Sequence, residues 1–191
     1  MKHASLTALF ACASVSGCVT PPQYDDQTDK LISQLQTDVD TEFVSLETLS
    51  QKIAGLTKST DAASQQAMAT AKTKMGYDAN SSFYDKIAVD LNGLQVRVDA
   101  EPSPATPHLD LGIGAIRENL LTGDGSMQQT HQQQNTLSLT YLRLTQSTID
   151  SEIGALLARE LGLKNGTSSS STSSQASSSS AGKSATSTTS K

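Results

Sequence analysis

Residues Leu31 to Leu56 read LISQLQTDVDTEFVSLETLSQKIAGL, and this stretch decides the fold. Leu31, Leu35, Val39, Phe43, Leu46, Leu49, Ile53 and Leu56 recur at steps of three and four, close to the 3.6-residue turn of an α-helix. The positions between them are largely Asp, Glu, Gln, Ser and Thr, so a single stripe is apolar. One long amphipathic helix is expected from about Asp25, stopping near Gly55 to Lys58. Ser59, Thr60 and Asp61 then stand as N-cap candidates for the next helix, because their side-chain oxygens accept hydrogen bonds from free first-turn amides.

Working toward the C-terminus, Met68, Ala71, Met75, Ala79, Phe83, Ile87, Leu91, Leu94 and Val98 keep the same spacing until Pro102. Gly76 and Asn80-Ser81-Ser82 are possible break points, and Ser82 with Asp85 has the form of a capping box. The apolar phase survives across them, which favours one continuous helix over 61–100, about 60 Å long. Glu101 to Pro107 holds three prolines and reads as a loop that includes His108 at its edge. Thr106 and Pro107 form an N-cap and first helical position for a short helix carrying Leu109, Ile113, Ile116 and Leu120, closed by Gly123-Asp124-Gly125. A last long helix is expected from about Ser126, with Leu137, Tyr141, Leu144, Ile149, Ile153, Leu156 and Leu161 as its stripe. Gly162 to Gly166 resembles a glycine C-cap for it.

No segment alternates as a strand does. The expected fold is therefore all-α, an elongated antiparallel helical bundle of three long helices and one short one. Because the third helix is short, part of a long one should lack a fourth neighbour. That leaves either an exposed apolar strip, a candidate partner surface, or a stretch over which side chains close.

The chain has 191 residues and a net charge of −5, with no cluster of lysine or arginine. One domain is expected, and a nucleic-acid partner is not. Its two cysteines are Cys12 and Cys18, so a disulfide framework is not expected.

The N-terminal segment is a targeting signal in form. Lys2 precedes an apolar run from Ala4 to Val15, too short for the roughly 20 residues of a membrane-spanning helix. Val15-Ser16-Gly17-Cys18 follows and resembles the lipobox of bacterial lipoproteins; Cys12, preceded by Phe10 and Ala11, fits that pattern less well. The resemblance implies cleavage between Gly17 and Cys18, a diacylglyceryl thioether on Cys18, and a mature protein held to a membrane by two or three acyl chains. Two or more chains anchor durably where one does not. Val19 is not the aspartate that retains many enterobacterial lipoproteins at the inner membrane, so the resemblance implies the periplasmic side of the outer membrane in an organism with two.

The chain then divides into a signal peptide (1–17), a lipid-anchored linker (18–24), a helical domain (25–166) and a tail (167–191). Ser, Thr, Ala and Gly dominate the tail, which has too few apolar side chains to offset the entropy of ordering and is expected to be disordered. Lipid cysteine, helical body and terminal Lys191 form a layout similar to that of murein lipoproteins, which are joined to peptidoglycan through the last lysine. The continuous short repeat of those proteins is absent here, and the residues before Lys191 differ.

A search for catalytic chemistry finds little. His131 lies in phase with Met127 and Gln134, as a helix-surface or boundary residue would, and neither it nor His108 has a helical metal-binding partner. Asp38, Asp40 and Glu42 alternate like a calcium loop, but Phe43 stands where the sharp turn needs glycine, so they read as a solvated acidic face. Gly112-Ile113-Gly114 is a fragment of a phosphate-binding pattern with Arg117 at the third glycine position, and reads instead as a close helix contact. No catalytic, metal or cofactor-binding residue is assigned. The expectation is a non-enzymatic envelope lipoprotein that acts as a scaffold for another envelope protein. The alternative is a module binding a small apolar or lipid ligand between its helices, with the alanine-rich stretch lining the cavity.

Overall fold

The computed structural model describes residues 24–100 and 107–172. Its helices are α1 (Asp26–Leu56), α2 (Ala62–Met75), α3 (Tyr77–Ala100), α4 (Pro107–Arg117), continued by a π-helical turn (Glu118–Thr122), α5 (Met127–Gln134) and α6 (Leu139–Thr172). Among the described residues there is no strand. They form an all-α bundle of four rods: α1, α2 with α3, α4 with its π turn, and α5 with α6.

Capping side chains set several boundaries, and Asp61 among them is one of the three candidates that the sequence offered for α2. The Asp25 carboxylate accepts from the amides of Gln27 and Thr28, Asp61 accepts from Ser64 N at 2.8 Å, and Ser126 accepts from Gln129 N at 3.4 Å. Pro107 is the first residue of α4, where its missing N–H costs nothing. His108 is thus an exposed residue of the first turn of α4 rather than of the loop.

Polar contacts fix the directions. Arg97 meets Asp25, with Nη2 at 2.6 Å, and Lys86 meets Asp38, so α3 runs antiparallel to α1. Arg143 reaches Glu47 at 3.6 Å and the Lys164 ammonium sits 5.1 Å from the centre of the Tyr24 ring, so α6 also runs antiparallel to α1. Asn119 donates to Glu152 at 2.8 Å, and a Cβ on Gly112 would lie 2.6 Å from Leu156 Cδ2, which brings α4 backbone against α6. The close-contact reading of Gly112 holds, whereas Gly114 faces open space.

Burial follows the α1 stripe with one addition. Leu35, Val39, Phe43 and Leu46 are fully buried and Ile32 joins them, while Leu31 is only half-buried. Each such side chain contributes about 1.5–3 kcal/mol through removal from water. Phe83, Ile87, Leu91, Leu94 and Val98 line α3 as expected, together with Tyr84.

Three expectations are corrected. The continuous helix over 61–100 is broken at Gly76, whose ψ of 152° is extended, so Ser82 lies inside α3 and caps nothing. The last helix is interrupted after Gln134 by Asn135, in the left-handed region at φ 54°. The Gly162–Gly166 cap does not form: α6 passes through to Thr172, because neither glycine adopts the positive φ that a left-handed cap requires. The α6 stripe also shifts, with Leu142 buried and Leu144 68% exposed, and Glu160 buried beside an exposed Leu161.

The Gly76 and Asn135 breaks are joined. Asn135 Oδ1 accepts from Tyr77 N at 2.9 Å and so caps α3 from 58 residues away. A Cβ on residue 76 would stand 3.0 Å from that oxygen, which is why a glycine suits the position. Replacing Asn135 by glycine keeps the backbone accessible and removes only the cap; the expected loss is about 0.5–2 kcal/mol in urea unfolding. Asn135→Ala should lose about 1–2 kcal/mol more, because alanine is strained at that φ.

Candidate functional site

Cys18 and Gly17 lie outside the described residues, as do the residues beyond Thr172. The nearest described structure is the start of α1. There the Asp25 carboxyl is held at about 2: burial works against ionisation, but hydrogen bonds from Thr28, Arg97 and the Gln27 amide outweigh it. The described ends of α1, α3, α4 and α6 that meet here form one end of the bundle, and both the lipobox side and the tail side of the chain leave from it. The loop between α1 and α2 lies at the other end.

That far end is thinly covered. α2 packs on α1, but only Ala71 and Met75 of α2 are buried. Leu49, Ile53 and Leu56 of α1 and Met68 of α2 are half-buried. Lys52, Lys58, Lys72 and Lys74 are exposed, with Asp61 the sole acidic residue from 48 to 76, and none of the four lysines takes part in an ion pair among the described residues.

A second polar cluster sits where α2, α3 and α5 meet. His131 is fully buried, which corrects its reading as a surface or boundary residue. Its Nε2 lies 2.6 Å from the Met75 carbonyl and its Nδ1 2.8 Å from the Tyr84 hydroxyl. A carbonyl only accepts, so Nε2 carries the proton, Nδ1 is bare, and the Tyr84 hydroxyl donates to it. Burial lowers the His131 pKa, although the Met75 carbonyl acts the other way, and burial raises that of Tyr84 well above the ordinary tyrosine value. Tyr77 stacks on Tyr84 at 5.7 Å and meets the His131 ring edge-on at 5.8 Å. Phase with the buried Met127 was the available sequence signal, since positions four apart share a helix face.

The acidic face is also corrected. Asp38 pairs with Lys86, which Asp90 holds from the other side at 2.9 Å. Glu42 turns inward: its Oε1 is buried without a hydrogen-bond partner, and desolvation raises its pKa. Asp150 Oδ1 and Glu152 Oε2 are likewise buried and unpartnered, and desolvation raises both groups. Asp40 adds like-charge repulsion at Asp150, and Glu118 does so at Glu152.

A cleft of about 430 Å³ lies between α4 and α6, lined by His108, Gly112, Glu152, Ala155, Leu156 and Arg159. No residue of the alanine-rich stretch lines it. Arg159 pairs with the buried Glu160 at 2.6 Å. Among the described residues, no group of three or more His, Cys, Asp or Glu is placed to hold a metal ion, and no helix is long and apolar enough to cross a membrane. The fold and its polar clusters thus define an all-α helical bundle. No family model, curated protein or solved structure matches the chain.

Proposed function

We propose that this chain is a non-enzymatic envelope lipoprotein, anchored through acyl chains on Cys18, whose bundle is a scaffold presenting the α1–α2 hairpin to another envelope protein. Seven residues lie between Cys18 and Asp26, and the eight steps along the chain limit the linker to roughly 26–29 Å even when extended. From there the 31 residues of α1 carry the hairpin about 46 Å further from the bilayer. The reading is carried by the hairpin itself, an incompletely covered apolar stripe flanked by four unpaired lysines on a chain of net charge −5. Such an end fits an acidic amphipathic helix, which the lysines attract and which would complete the covering of Leu49, Ile53 and Met68.

Cys18→Ala is expected to abolish incorporation of radiolabelled palmitate and to move the protein from the membrane to the soluble fraction. Undiminished labelling would show that the anchor lies elsewhere. In cells, a photo-cross-linker at residue 68 should capture one defined protein, and charge reversal at Lys52 and Lys72 should abolish that capture. Equal capture from a cross-linker at exposed Leu111, at the opposite end, would remove the hairpin from the proposal. The α4–α6 cleft favours a second reading, a small apolar ligand, which native mass spectrometry would reveal as a defined added mass.

A further inference from the structure

We propose that His131 is the latch of the α2–α3 junction, holding α2 in place while its ring is neutral and releasing it when the ring takes up a proton. α5 closes the junction from both sides. His131 donates to the Met75 carbonyl, at the last residue of α2, and Asn135, one helical turn later, accepts from Tyr77 N, the first residue of α3. Both groups are orphans created by the break at Gly76, since helix ends leave carbonyls and amides without intrahelical partners. The junction is therefore held by side chains that lie 56 and 58 residues away. α2 has only two buried residues, so its packing on α1 and this junction together are what fix it.

The neutral ring suits this arrangement and the charged ring does not. In the neutral ring the bare Nδ1 accepts the Tyr84 proton. Protonation makes Nδ1 a second donor, so the Tyr84 hydroxyl must rotate its own proton away and accept instead, and a buried site must then hold both that displaced proton and the charge of the ring. The titratable groups around the pair are Glu42 from α1, Tyr77 from α3 and Tyr141 from α6, all of which act electrostatically on Tyr84. α2 offers the Met75 carbonyl, its Lys72 and Lys74 being exposed, and Glu118 of the π turn is exposed as well. Glu42 is the one carboxyl among these groups that turns inward, its Oε1 buried without a hydrogen-bond partner.

Global stability would not isolate the latch, because other groups act in the opposite sense. His131 has a lowered folded-state pKa, so its contribution is complete above the unfolded value near 6.5 and is lost as pH falls through the folded value. Glu42, Asp150 and Glu152 have raised values, so their contribution is present at low pH and lost as pH rises through their folded values. The informative measurement is local hydrogen exchange at residues 62–84 of the full-length chain, between pH ~7.5 and ~5, beside an NMR titration of the His131 ring.

After correction for intrinsic exchange, protection of α2 and the first turn of α3 should fall as His131 titrates, by about tenfold per pKa unit of its depression, while α6 stays protected. His131→Gln should flatten the response. Tyr84→Phe removes the hydroxyl that stabilises the neutral ring and should move the release to higher pH. Should H131Q fail to fold, Y84F carries the test, because its exchange midpoint must move with its His131 titration. Protection that is constant through the His131 titration, a loss that persists in folded H131Q, or a Y84F midpoint that does not move would each overturn the latch. None of these readouts depends on the lipid anchor or on a partner, so a failed latch leaves the scaffold reading intact.

Discussion

Leu46→Asp is expected to leave the chain largely unfolded at neutral pH. Leu46 is fully buried in the central cluster with Phe43 and Val39, on the helix that packs against α2, α3 and α6. The substitution removes about 1.5–3 kcal/mol of apolar burial. It also places a carboxyl where water cannot reach it, and remaining neutral at pH 7 costs such a group roughly 4 kcal/mol, about three pKa units above its ordinary value. The total, about 6 kcal/mol, is comparable with the whole stability of many domains. Far-ultraviolet circular dichroism and urea titration should show loss of the cooperative transition, partly restored as pH falls toward ~4, where the carboxyl of the unfolded chain also begins to take up its proton. Val44, two residues earlier and 63% exposed, is the control: Val44→Asp should change stability by no more than about 0.5 kcal/mol. A Leu46→Asp variant that folds like the wild type would show that the α1 stripe is not the core.

Leu142→Ala and Leu144→Ala should separate by several kcal/mol. Leu142 is fully buried and Leu144 is 68% exposed. Truncating the first leaves a cavity and should cost about 2–5 kcal/mol. Truncating the second should stay within about 0.5 kcal/mol. The midpoint and slope of urea unfolding measure both, and a constant slope would show that the change lies in stability alone. The opposite order would mean that the stripe drawn from Leu137 through Tyr141 to Leu144 is the true one. That stripe fails because it carries a phase across a break. Leu137 lies before α6, whose first turn is set by Ser138 accepting from Tyr141 N at 3.2 Å. Counting back from Ile153 and Ile149 within one uninterrupted helix leads to Leu142 instead.

The polar clusters were less legible than the core. His131 shares a helix face with Met127, and the face proves buried, but periodicity ranks histidine as a boundary residue and says nothing about which partners await it. Tyr84 and the Met75 carbonyl satisfy both ring nitrogens, and they come from parts of the chain about fifty residues away. Glu42 was legible only as one acid of an alternating run. Its inward turn follows from its place beside Phe43 on the face that meets α3, where Asp38, one turn earlier, finds Lys86 and Glu42 finds no cation.

Spacing alone was enough to determine that this is an all-helical bundle, where α1 lies, that the cap of α2 is among Ser59, Thr60 and Asp61, and which end of the chain carries a lipobox-like motif. These are local properties: a 3.6-residue repeat and a capping side chain act within one or two turns. Tertiary structure decided the break at Gly76, the interruption at Asn135, the phase of α6 and the burial of His131. A helix can end inside an unbroken apolar pattern only if something distant satisfies the backbone groups it frees. Here α5 does so through His131 and Asn135, a partnership between separate rods that no local window of sequence contains.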